Sequence, residues 1–584
     1  MDSSIQLNLA QKHFEAGFPD EAWRIVKVLI AAPDASQLAV TLAVTLRLAA
    51  GAFDDVVVLC RRLLSQNPND PEAWNNLGQA LDQLAQPNEA IAAFERSVAL
   101  SASNSSAYNN LGVVLSGQGR FAAAATAFSS ALKHDPKNVA ALVNLGVALV
   151  ERGDVAQGLQ QFEQALSLDP GNQAAHDNRL FAIHNIVDDP KILFEKHRAW
   201  GRGIEQSAVA KVFANTRQPD RRLRVGYVSP DFRQHSVAFF VESLLQEHDR
   251  NSYAIYCYSQ VAWPDTTTAR FKKLADHWCD VRNLSTEATV DQIISDQIDI
   301  LVDLAGHTMG NRLDVFAQRA APIQLSAIGY PGTTGLIHID GRLSDAGADL
   351  PANDTYSSES VIRLPRSMHC YSPPPFAPGT NALPYHNEGV VTFGSFNKLA
   401  KISDPTIKVW SDVLKAVPKS RLLIKTKPLA ETATQSALAA KFAAFGIEED
   451  RLELCGWNPD DEGHLATYHR VDIALDTYPY NGTTTTCEAL WMGVPVITLA
   501  GQTHASRVGA SLLESAGVPD LICGSPDEFV ACAVKLSTEP TTLAALRGSM
   551  RQRVATSAIC NAKAYTIDVE RAYRALWQRY CASV

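Results

Sequence analysis

The strongest constraint on the fold is a 34-residue repeat in the first third of the sequence. Four columns of side chains keep this spacing without an insertion. The columns are Trp74, Tyr108 and Leu142; Leu77, Leu111 and Leu145; Gly78, Gly112 and Gly146; and Phe94, Phe128 and Phe162. A fixed period of this length is typical of stacked supersecondary units, each of which buries its apolar face only against its neighbours. The sequence therefore predicts a repeat array here.

The columns match the tetratricopeptide pattern of paired helices. Prolines stand at the turns between repeats, where a helix has to stop: Pro68, Pro136 and Pro170. We expect degenerate helical repeats over residues 1–68, three tetratricopeptide repeats over 69–170 and a capping helical segment over 171–218. The first part of the chain is thus predicted to be an α-helical tetratricopeptide superhelix.

A further column at the same spacing consists of amides. Its members are Asn76, Asn110, Asn144 and Asn178. Each Asn could hydrogen-bond within its own repeat. Alternatively, regularly spaced amides can clasp the main chain of an extended peptide and leave its side chains free. On this second interpretation the four residues bind the acceptor along the concave surface of the superhelix.

The remaining sequence changes to short β-branched runs that alternate with helical stretches, which is typical of parallel sheets. We expect an α/β domain over residues 219–375, a proline-rich linker over 376–387 and a second α/β domain over 388–584 that includes a terminal helix. The predicted strands are 224–228, 253–258, 298–304 and 324–328, then 390–393, 421–425, 451–454, 472–475 and 494–499. Ligands of such sheets bind at the carboxyl ends of the strands, and two facing domains leave a cleft between them.

Composition excludes several classes of protein. The 584 residues are too many for one hydrophobic core, and the net charge of -10 gives no basic footprint for nucleic acid. The ten cysteines form no C-x-x-C pair or cluster that would hold a metal, so we expect reduced thiols in a cytoplasmic protein. Neither export nor membrane insertion is indicated, because no long apolar run is present.

A threonine-rich segment carries the densest chemical signal. A predicted strand ends, a glycine-containing loop follows, and the hydroxyls of Thr483, Thr484, Thr485 and Thr486 open a helix. Free N–H groups and the positive end of the helix dipole bind anions, which suits a diphosphate. The Glu488 carboxylate, one turn further, could accept bonds from ribose hydroxyls. The alternative is an N-cap that serves the helix alone, for which one Thr is enough.

Charged and titratable residues follow other predicted strands. Lys398 and Lys401 stand where a leaving diphosphate would develop charge, although one of them could equally be a solvated loop residue. His235 and His307 each lie just past a strand of the first α/β domain. A lone histidine is more often structural, but two at equivalent strand ends favour a catalytic role.

A glycine turn over residues 329–335 adds a weaker signal. Glycines allow a backbone to approach a ligand closely, and we expect Gly332 and Thr333 to contact the ligand of the cleft. Glycine turns alone do not identify a site.

Together these segments resemble glycosyltransferase family 41, which contains the protein O-GlcNAc transferases and the plant SPINDLY proteins. The stretches that match are 226–232, 321–324, 329–335, 396–402 and the threonine-rich loop. The resemblance implies a GT-B fold, in which two Rossmann-like domains face each other, and an inverting enzyme that needs no metal. It also implies that the nucleotide binds in the C-terminal half.

The resemblance implies roles for individual residues. Lys401 matches the family's essential lysine on the diphosphate, and His235 matches a histidine near the sugar and the acceptor that is discussed as a base. Thr484 and Thr485 match hydroxyls that hold the phosphates. Between the two histidines, His235 is the first candidate for the general base and His307 the second.

The same resemblance places His464 near the nucleotide base and Glu488 on the ribose. Four positions depart from the animal O-GlcNAc transferases, which have other residues at Lys398, Ala400, Asp461 and Thr467. The combination of Leu399, Ala400 and Lys401 with the threonine run is more similar to SPINDLY, which implies fucose transfer from GDP-fucose.

We therefore expect an enzyme that transfers a sugar from a nucleotide sugar to Ser or Thr of a protein acceptor, with UDP-GlcNAc as the first candidate donor. GDP-fucose or another donor remains an alternative. A third hypothesis is a non-catalytic scaffold, in which the repeats bind partners and the α/β part is a degenerate enzyme. Neither nucleic acid nor a membrane is an expected partner.

Overall fold

The computed structural model describes residues 3–32, 35–206, 211–456 and 461–583, with the backbone alone at 461 and 462. The chain forms two compact units. The first unit contains Met1–Arg152 and Gln160–Pro170, and the second contains Gly153–Leu159 and Gly171–Val584.

Antiparallel helix pairs make up the repeat array. The helices are α1 (Ser3–Glu15), α2 (Pro19–Ile30), α3 (Gln37–Ala49), α4 (Phe53–Gln66), α5 (Pro71–Gln83), α6 (Pro87–Leu100), α7 (Ser105–Gly117), α8 (Phe121–His134), α9 (Val139–Glu151) and α10 (Val155–Leu168). Side chains at each repeat start cap the first helix of a pair, and they form another column at the 34-residue spacing. The caps are Asp70, Asn104 and Asn138, and Asn172 caps the helix that follows the array. A local hydrogen bond thus fixes where each repeat begins.

The glycine and phenylalanine columns meet inside each helix pair. A Cβ built on Gly78, Gly112 or Gly146 would lie 2.7, 2.5 or 2.4 Å from the ring of the phenylalanine sixteen residues later. Those rings, Phe94, Phe128 and Phe162, are each 1% exposed. The helices approach closely because the glycine has no side chain, so the two columns are one packing contact.

We expect Gly112→Ala to lower the free energy of unfolding by about 1–3 kcal/mol, because the buried Phe128 ring has to move. Gly117→Ala is the matched control in the same helix, since an added Cβ there meets nothing within 4 Å. We expect it to be neutral or to stabilise by up to about 1 kcal/mol. Urea denaturation followed by circular dichroism measures both. Equal effects of the two changes would contradict the packing argument.

Two parallel sheets follow in the second unit. The first sheet contains β1 (Leu223–Ser229), β2 (Tyr253–Ser259), β3 (His277–Asp280), β4 (Ile300–Asp303), β5 (Ile323–Ser326), β6 (Gly341–Ser344) and β7 (Ser360–Arg363) in the order β3-β2-β1-β4-β5-β6-β7. The second contains β8 (Val391–Ser395), β9 (Ser420–Lys425), β10 (Leu452–Cys455), β11 (Ile473–Leu475), β12 (Val496–Leu499) and β13 (Ile522–Cys523) in the order β10-β9-β8-β11-β12-β13. Both orders are those of a doubly wound sheet.

Helices cover both sheets. They are α11 (Gln173–Ala182), α12 (Pro190–Glu205), α13 (Ala238–Glu247), α14 (Thr266–Leu274), α15 (Thr286–Ser295), α16 (Leu313–Ala317), α17 (Tyr385–Glu388), α18 (Asp404–Ala416), α19 (Thr432–Ala443), α20 (Asp461–Ala466), α21 (Thr484–Trp491), α22 (Val508–Ser515), α23 (Pro526–Thr538), α24 (Pro540–Ala555) and α25 (Ala562–Ala582). We call residues 171–206, which include α11 and α12, the helical cap. No helix among the described residues is both long enough and apolar enough to cross a bilayer.

The structure adds strands that the sequence does not indicate, namely β3, β6, β7 and β13. β3 is a partly exposed strand with charged ends. β6 is fully buried although it begins with glycine and contains Arg342, because the Asp349 carboxylate pairs with that guanidinium at 2.8 Å. Hydrophobic patterning cannot reveal a strand whose burial depends on a distant partner.

The terminal helix belongs to the first sheet, whereas the sequence partition groups it with the second. Tyr565, Val569, Tyr573 and Trp577 recur every four residues along α25 and join the hydrophobic core that contains Leu223. An apolar stripe of this kind identifies a buried helix face but not the sheet that covers it. In addition, the segment predicted as a linker contains the short helix α17.

Candidate functional site

A cavity opens at the carboxyl edge of the second sheet, where the strand order reverses. β8 lies between β9 and β11, so the connections that leave β8 and β11 diverge. Ligands of doubly wound sheets bind in the crevice that such a reversal creates. Residues that line the cavity include Ser395, Phe396, Asn397, Asp476, Thr485 and Thr486.

The Asp476 carboxylate organises the loop between β11 and α21. Its Oδ1 accepts the backbone N–H groups of Thr477 at 2.8 Å and Gly482 at 2.7 Å, and its Oδ2 accepts the Thr498 hydroxyl at 2.8 Å. Burial raises the pKa of Asp476, while these hydrogen bonds and the nearby Lys401 cation act in the opposite direction. The buried carboxylate thus fixes the turn that leads into α21.

The Lys401 ammonium is held against the same loop. Its Nζ donates to the carbonyl of Asn481 at 2.8 Å and lies 3.7 Å from the centre of the Tyr480 ring. Burial lowers the pKa of Lys401 to about 7, the Asp476 carboxylate raises it, and the Lys398 cation lowers it further. An ammonium has three donors, so Lys401 can bind an anion without giving up the bond to Asn481.

The start of α21 presents hydrogen-bond donors. Thr483 occupies the N-cap position without a side-chain cap bond. The Thr485 hydroxyl donates to Oδ1 of Asn397 at 2.7 Å, and the Thr484 hydroxyl has no partner within the described ranges. Uncapped N–H groups and the helix dipole favour an anion at this position. The structure thus brings the threonines and the loop that holds Lys401 to one edge of the sheet.

A polar network surrounds Glu488 on the buried side of α21. Its Oε2 lies 3.2 Å from Nε2 of His464 and 3.5 Å from the hydroxyl of Tyr468. The Nζ of Lys425 lies 3.1 Å from Nδ1 of His464 and donates to the Thr467 hydroxyl, also at 3.1 Å. Burial lowers the pKa of Lys425 to about 8. Because an ammonium only donates, Nδ1 accepts and Nε2–H of His464 donates to Glu488.

His464 therefore orients Glu488, and both of its ring nitrogens have partners within the fold, while its expected place near the nucleotide base stays a prediction. Oε1 of Glu488 has no hydrogen-bond partner in the part of the chain that the structure describes, so this oxygen can accept bonds from a ligand. Of the positions that depart from the animal enzymes, Thr467 bonds to Lys425 at 3.1 Å. The side chain of Asp461 lies outside the described residues.

The first sheet contributes His235 from its own reversal point, in the segment after β1. Nδ1 of His235 accepts the backbone N–H of Val237 at 3.4 Å and lies 3.5 Å from Oδ1 of Asp231. Burial lowers the pKa of His235, and the Arg233 and Lys398 cations also lower it, so that together they bring it to about 4. Burial raises the pKa of Asp231 to about 6. Lys398, which follows β8 of the second sheet, is thus close enough to His235 to influence its pKa.

His307 occupies a structural position, which differs from the expected catalytic one. Its Nδ1 lies 2.9 Å from Oδ1 of Asp177, and its Nε2 lies 2.8 Å from the carbonyl oxygen of Thr334. The side chain is 1% exposed, and its ring centre is 4.4 Å from that of Trp200. Both ring nitrogens are thus engaged by the fold, and His307 joins the first sheet to α11.

Gly332 and Thr333 also serve the fold, and their expected role as ligand contacts stays a prediction. The Thr333 hydroxyl donates to Oε2 of Glu359 at 2.7 Å and accepts the N–H of Gly335 at 3.2 Å. A Cβ on Gly332 would lie 3.0 Å from Cε1 of His184. The hydroxyl is therefore occupied, and the glycine makes room for a buried imidazole.

The amide column connects neighbouring repeats, which neither sequence interpretation includes. Two of its four side-chain amides donate at 3.1 Å to an asparagine of the preceding repeat, in the pairs Asn110–Asn75 and Asn144–Asn109. Asn76 is half-buried. Asn178 belongs to the second unit, and it donates to the carbonyl of Ala174 in its own helix at 2.8 Å. Peptide binding by this column stays a prediction.

Sequence reasoning does not single out Asn397, Lys425, Asp476 and Tyr480. A signal for three of them is present, because Lys425 ends β9, Asp476 directly follows β11 and Asn397 lies two residues after β8. Polar residues at the ends of buried parallel strands meet at one edge, and applying this rule to every strand identifies them. Tyr480 carries no such signal. Within the described ranges, no three His, Cys, Asp or Glu side chains group as metal ligands do.

Comparison with known proteins connects this geometry to characterised sequences. Residues 205–369 and 381–569 match the family described as Glycosyl transferase family 41. Residues 48–176 match the description Cytochrome c-type biogenesis protein H TPR domain, which agrees with the helical repeats.

Two curated relatives are plant proteins. "Probable UDP-N-acetylglucosamine--peptide N-acetylglucosaminyltransferase SPINDLY" of Solanum lycopersicum is 41% identical over 414 residues, which cover 70% of this chain and 44% of that protein. "Probable UDP-N-acetylglucosamine--peptide N-acetylglucosaminyltransferase SEC" of Arabidopsis thaliana is 32% identical over 375 residues, which cover 62% of this chain and 38% of that protein. The chain thus spans less than half the length of these curated relatives.

A solved structure resembles most of the chain. An O-GlcNAc transferase mutant of Thermobaculum terrenum aligns with a TM-score of 0.82 and 33% identity, over 88% of this chain and 98% of that one. The likeness agrees with a helical repeat region followed by a GT-B fold.

Proposed function

Because the chain belongs to glycosyl transferase family 41, we propose that it transfers a sugar from a nucleotide sugar to Ser and Thr hydroxyls of protein acceptors. The proposed donor is UDP-GlcNAc, since the names of the plant relatives specify UDP-N-acetylglucosamine and peptide N-acetylglucosaminyl transfer. The observation that carries the proposal is the pairing of Lys401 with an uncapped, hydroxyl-rich helix start at the reversal point of the second sheet.

The second sheet supplies the leaving-group half of the reaction. The bond between the anomeric carbon and the diphosphate oxygen breaks, and negative charge collects on the departing nucleoside diphosphate. The Lys401 ammonium and the first N–H groups of α21 stabilise this charge. Because the fold holds them in place beforehand, little reorganisation is needed in the transition state. Oε1 of Glu488 accepts hydrogen bonds from the ribose hydroxyls.

The first sheet supplies the acceptor half. The Ser or Thr oxygen attacks the anomeric carbon on the face opposite the diphosphate, so that the configuration inverts. The hydroxyl proton passes to His235, whose depressed pKa keeps the imidazole neutral at pH 7 but also makes it a weaker base than a solvated histidine. The products are the glycosylated protein and the nucleoside diphosphate. The helical repeats bind the acceptor chain along their concave surface, with the amide column as the main-chain contact.

The donor is tested by thermal unfolding of the wild-type chain with UDP, GDP, UDP-GlcNAc or GDP-fucose. A ligand of the native state at one hundred times its Kd stabilises by about 2.7 kcal/mol, so we expect UDP and UDP-GlcNAc to raise Tm by several degrees. Mass spectrometry of Ser- and Thr-containing peptides incubated with UDP-GlcNAc then measures transfer.

The four ligands distinguish the alternatives. A Tm increase with GDP and GDP-fucose alone would replace the proposed donor by a guanine nucleotide sugar and keep the reaction type. No increase with any nucleotide would contradict the enzymatic proposal and leave the chain as a repeat scaffold.

A further inference from the structure

One carboxylate of the helical cap holds a loop of the second sheet. The side chain of Asp188, which lies just before α12, accepts the backbone N–H groups of Gln502 at 2.9 Å and Thr503 at 2.9 Å. It also accepts the hydroxyls of Thr503 at 2.9 Å and Ser506 at 2.5 Å. The backbone lies so close that a Cβ on Gly501 would stand 2.3 Å from Oδ2 of Asp188. Donors surround this carboxylate as they would surround a bound anion.

The loop held by Asp188 continues to Lys401 through two hydrogen bonds. The carbonyl of Ala505, which lies inside the held loop, accepts the N–H of Asn481 at 3.0 Å. The carbonyl of Asn481 in turn accepts the Lys401 ammonium at 2.8 Å. Asp188 is thus connected to Lys401 through main-chain groups and not through a flexible side chain.

A second connection runs through Tyr478. Its hydroxyl donates to Oδ2 of Asp188 at 2.8 Å. Its backbone carbonyl accepts the hydroxyls of Ser403 and Thr406, the latter at 2.7 Å, and these residues start the helix that follows Lys401. Both connections therefore begin at the Asp188 carboxylate. One ends at Asn481, which binds the Lys401 ammonium, and the other ends at the start of α18, directly after Lys401 in the chain.

The helical cap also contacts the ring beneath Lys401. The ring centres of Phe181 and His184 lie 6.1 and 6.4 Å from that of Tyr480. The Lys401 ammonium lies 3.7 Å from the same tyrosine ring. The helical cap therefore supports the loop between β11 and α21 by these ring contacts as well as by the Asp188 carboxylate.

From this convergence we infer that Asp188 is a positioning residue for donor binding, which rests on the proposed function. The side chain touches neither the nucleotide nor the acceptor. It sets the distance between Lys401 and the start of α21 by fixing both loops that carry their partners. The helical cap is therefore a part of the donor site and not only a connector between the repeats and the sheets.

The test is Asp188→Asn, with the Kd of UDP and GDP measured by isothermal titration calorimetry on the full chain. An amide of the same size turns an NH₂ group toward donors that need an acceptor, so the two loops have to separate. We expect the Kd of the nucleotide that binds wild type to rise about tenfold or more, which corresponds to about 1.4 kcal/mol. Transfer measured at saturating donor should recover most of the wild-type rate.

Asp189→Asn is the matched control one residue away. Oδ1 of Asp189 caps α12 by accepting the N–H groups of Lys191 at 2.8 Å and Ile192 at 3.1 Å. An amide oxygen caps a helix about as well as a carboxylate oxygen, so we expect a nearly wild-type Tm and an unchanged Kd.

Tyr478→Phe serves as a second variant, because it removes only the hydroxyl bonded to Asp188 and covers the case in which Asp188→Asn does not fold. We expect a threefold or greater rise in Kd. Wild-type Kd in either folded variant, or an equal rise in Asp189→Asn, would overturn the inference. If wild type binds neither nucleotide, the proposed function fails first and the positioning role fails with it.

Discussion

Lys401→Met is expected to reduce sugar transfer at least about a hundredfold while the chain keeps its fold. Removal of one preorganised donor to a developing charge costs about 10²–10³ in rate. Methionine keeps the unbranched stem against Tyr480, where the ammonium now lies 3.7 Å from the ring, and removes only the charge and its hydrogen bond to Asn481. Initial rates with UDP-GlcNAc and a fixed peptide acceptor measure the loss, and circular dichroism checks the fold.

The pH dependence of nucleotide affinity provides an independent check on the same residue. Burial lowers the pKa of Lys401 to about 7, so the cationic form that binds a diphosphate is nearly complete about one pH unit below 7, half populated at pH 7 and lost above it. Wild-type Kd for the nucleoside diphosphate should therefore rise about tenfold for each pH unit above 7. The curve of Lys401→Met should be flat in this range.

Lys408→Met is the control for the loss of a lysine on the same segment. Its ammonium pairs with Asp412 at 2.8 Å on the exposed face of α18. We expect wild-type rates from it. A Lys401→Met enzyme that retains more than a tenth of the wild-type rate would contradict the leaving-group role.

His235→Ala is expected to lower kcat by about 10²–10⁴ and to leave the Kd of the nucleotide unchanged. The imidazole follows a strand of the first sheet, so its removal takes away the proton acceptor and leaves the loop between β11 and α21 unchanged. Nδ1 is the nitrogen that lies near Asp231, at 3.5 Å, and Nε2 has no hydrogen-bond partner in the described residues. Single-turnover transfer and calorimetry on the same sample separate the two effects.

His386→Ala is the matched control, because His386 is exposed on α17. We expect it to change neither kcat nor the Kd of the nucleotide. An unchanged kcat in His235→Ala would remove this histidine from the mechanism. The next candidate would then be Asp231, since burial raises the pKa of this carboxyl to about 6 and thereby increases its basicity.

The repeat array is the part of the fold that the sequence predicts best, for a physical reason. Each repeat packs against its neighbours, so the same contact recurs and leaves a column at a fixed spacing. Gly112 and Phe128 belong to two such columns, and the structure places them in contact. The strands with continuous apolar runs, such as β4, are also evident, because parallel strands are buried on both faces.

Strands that depend on tertiary partners cannot be predicted in this way. β6 needs the ion pair of Arg342 with Asp349, and the partner of α25 is decided by which sheet has a free apolar face. Neither fact is local to the segment, and one sequence contains no record of distant contacts.

The residues of the candidate site also fall into those that local sequence predicts and those that depend on distant contacts. Lys401 and the threonines follow strands, so parallel-sheet geometry brings them to one edge, and the sequence suffices to propose them. His307 follows a strand as well, but Asp177 and the carbonyl of Thr334 occupy its two nitrogens. Position relative to a strand predicts where a side chain lies but not whether its hydrogen-bonding groups are free. Asp188 lies outside both sheets, and no pattern in the sequence connects it with Lys401.

Each contact between a glycine and a phenylalanine lies within one helix pair and needs no residue of another repeat. Gain or loss of 34 residues by unequal recombination would leave every remaining glycine beside its own ring. The length of the array can therefore change in whole modules while the two sheets stay untouched, so that, on the proposed function, the choice of acceptor can evolve separately from the chemistry.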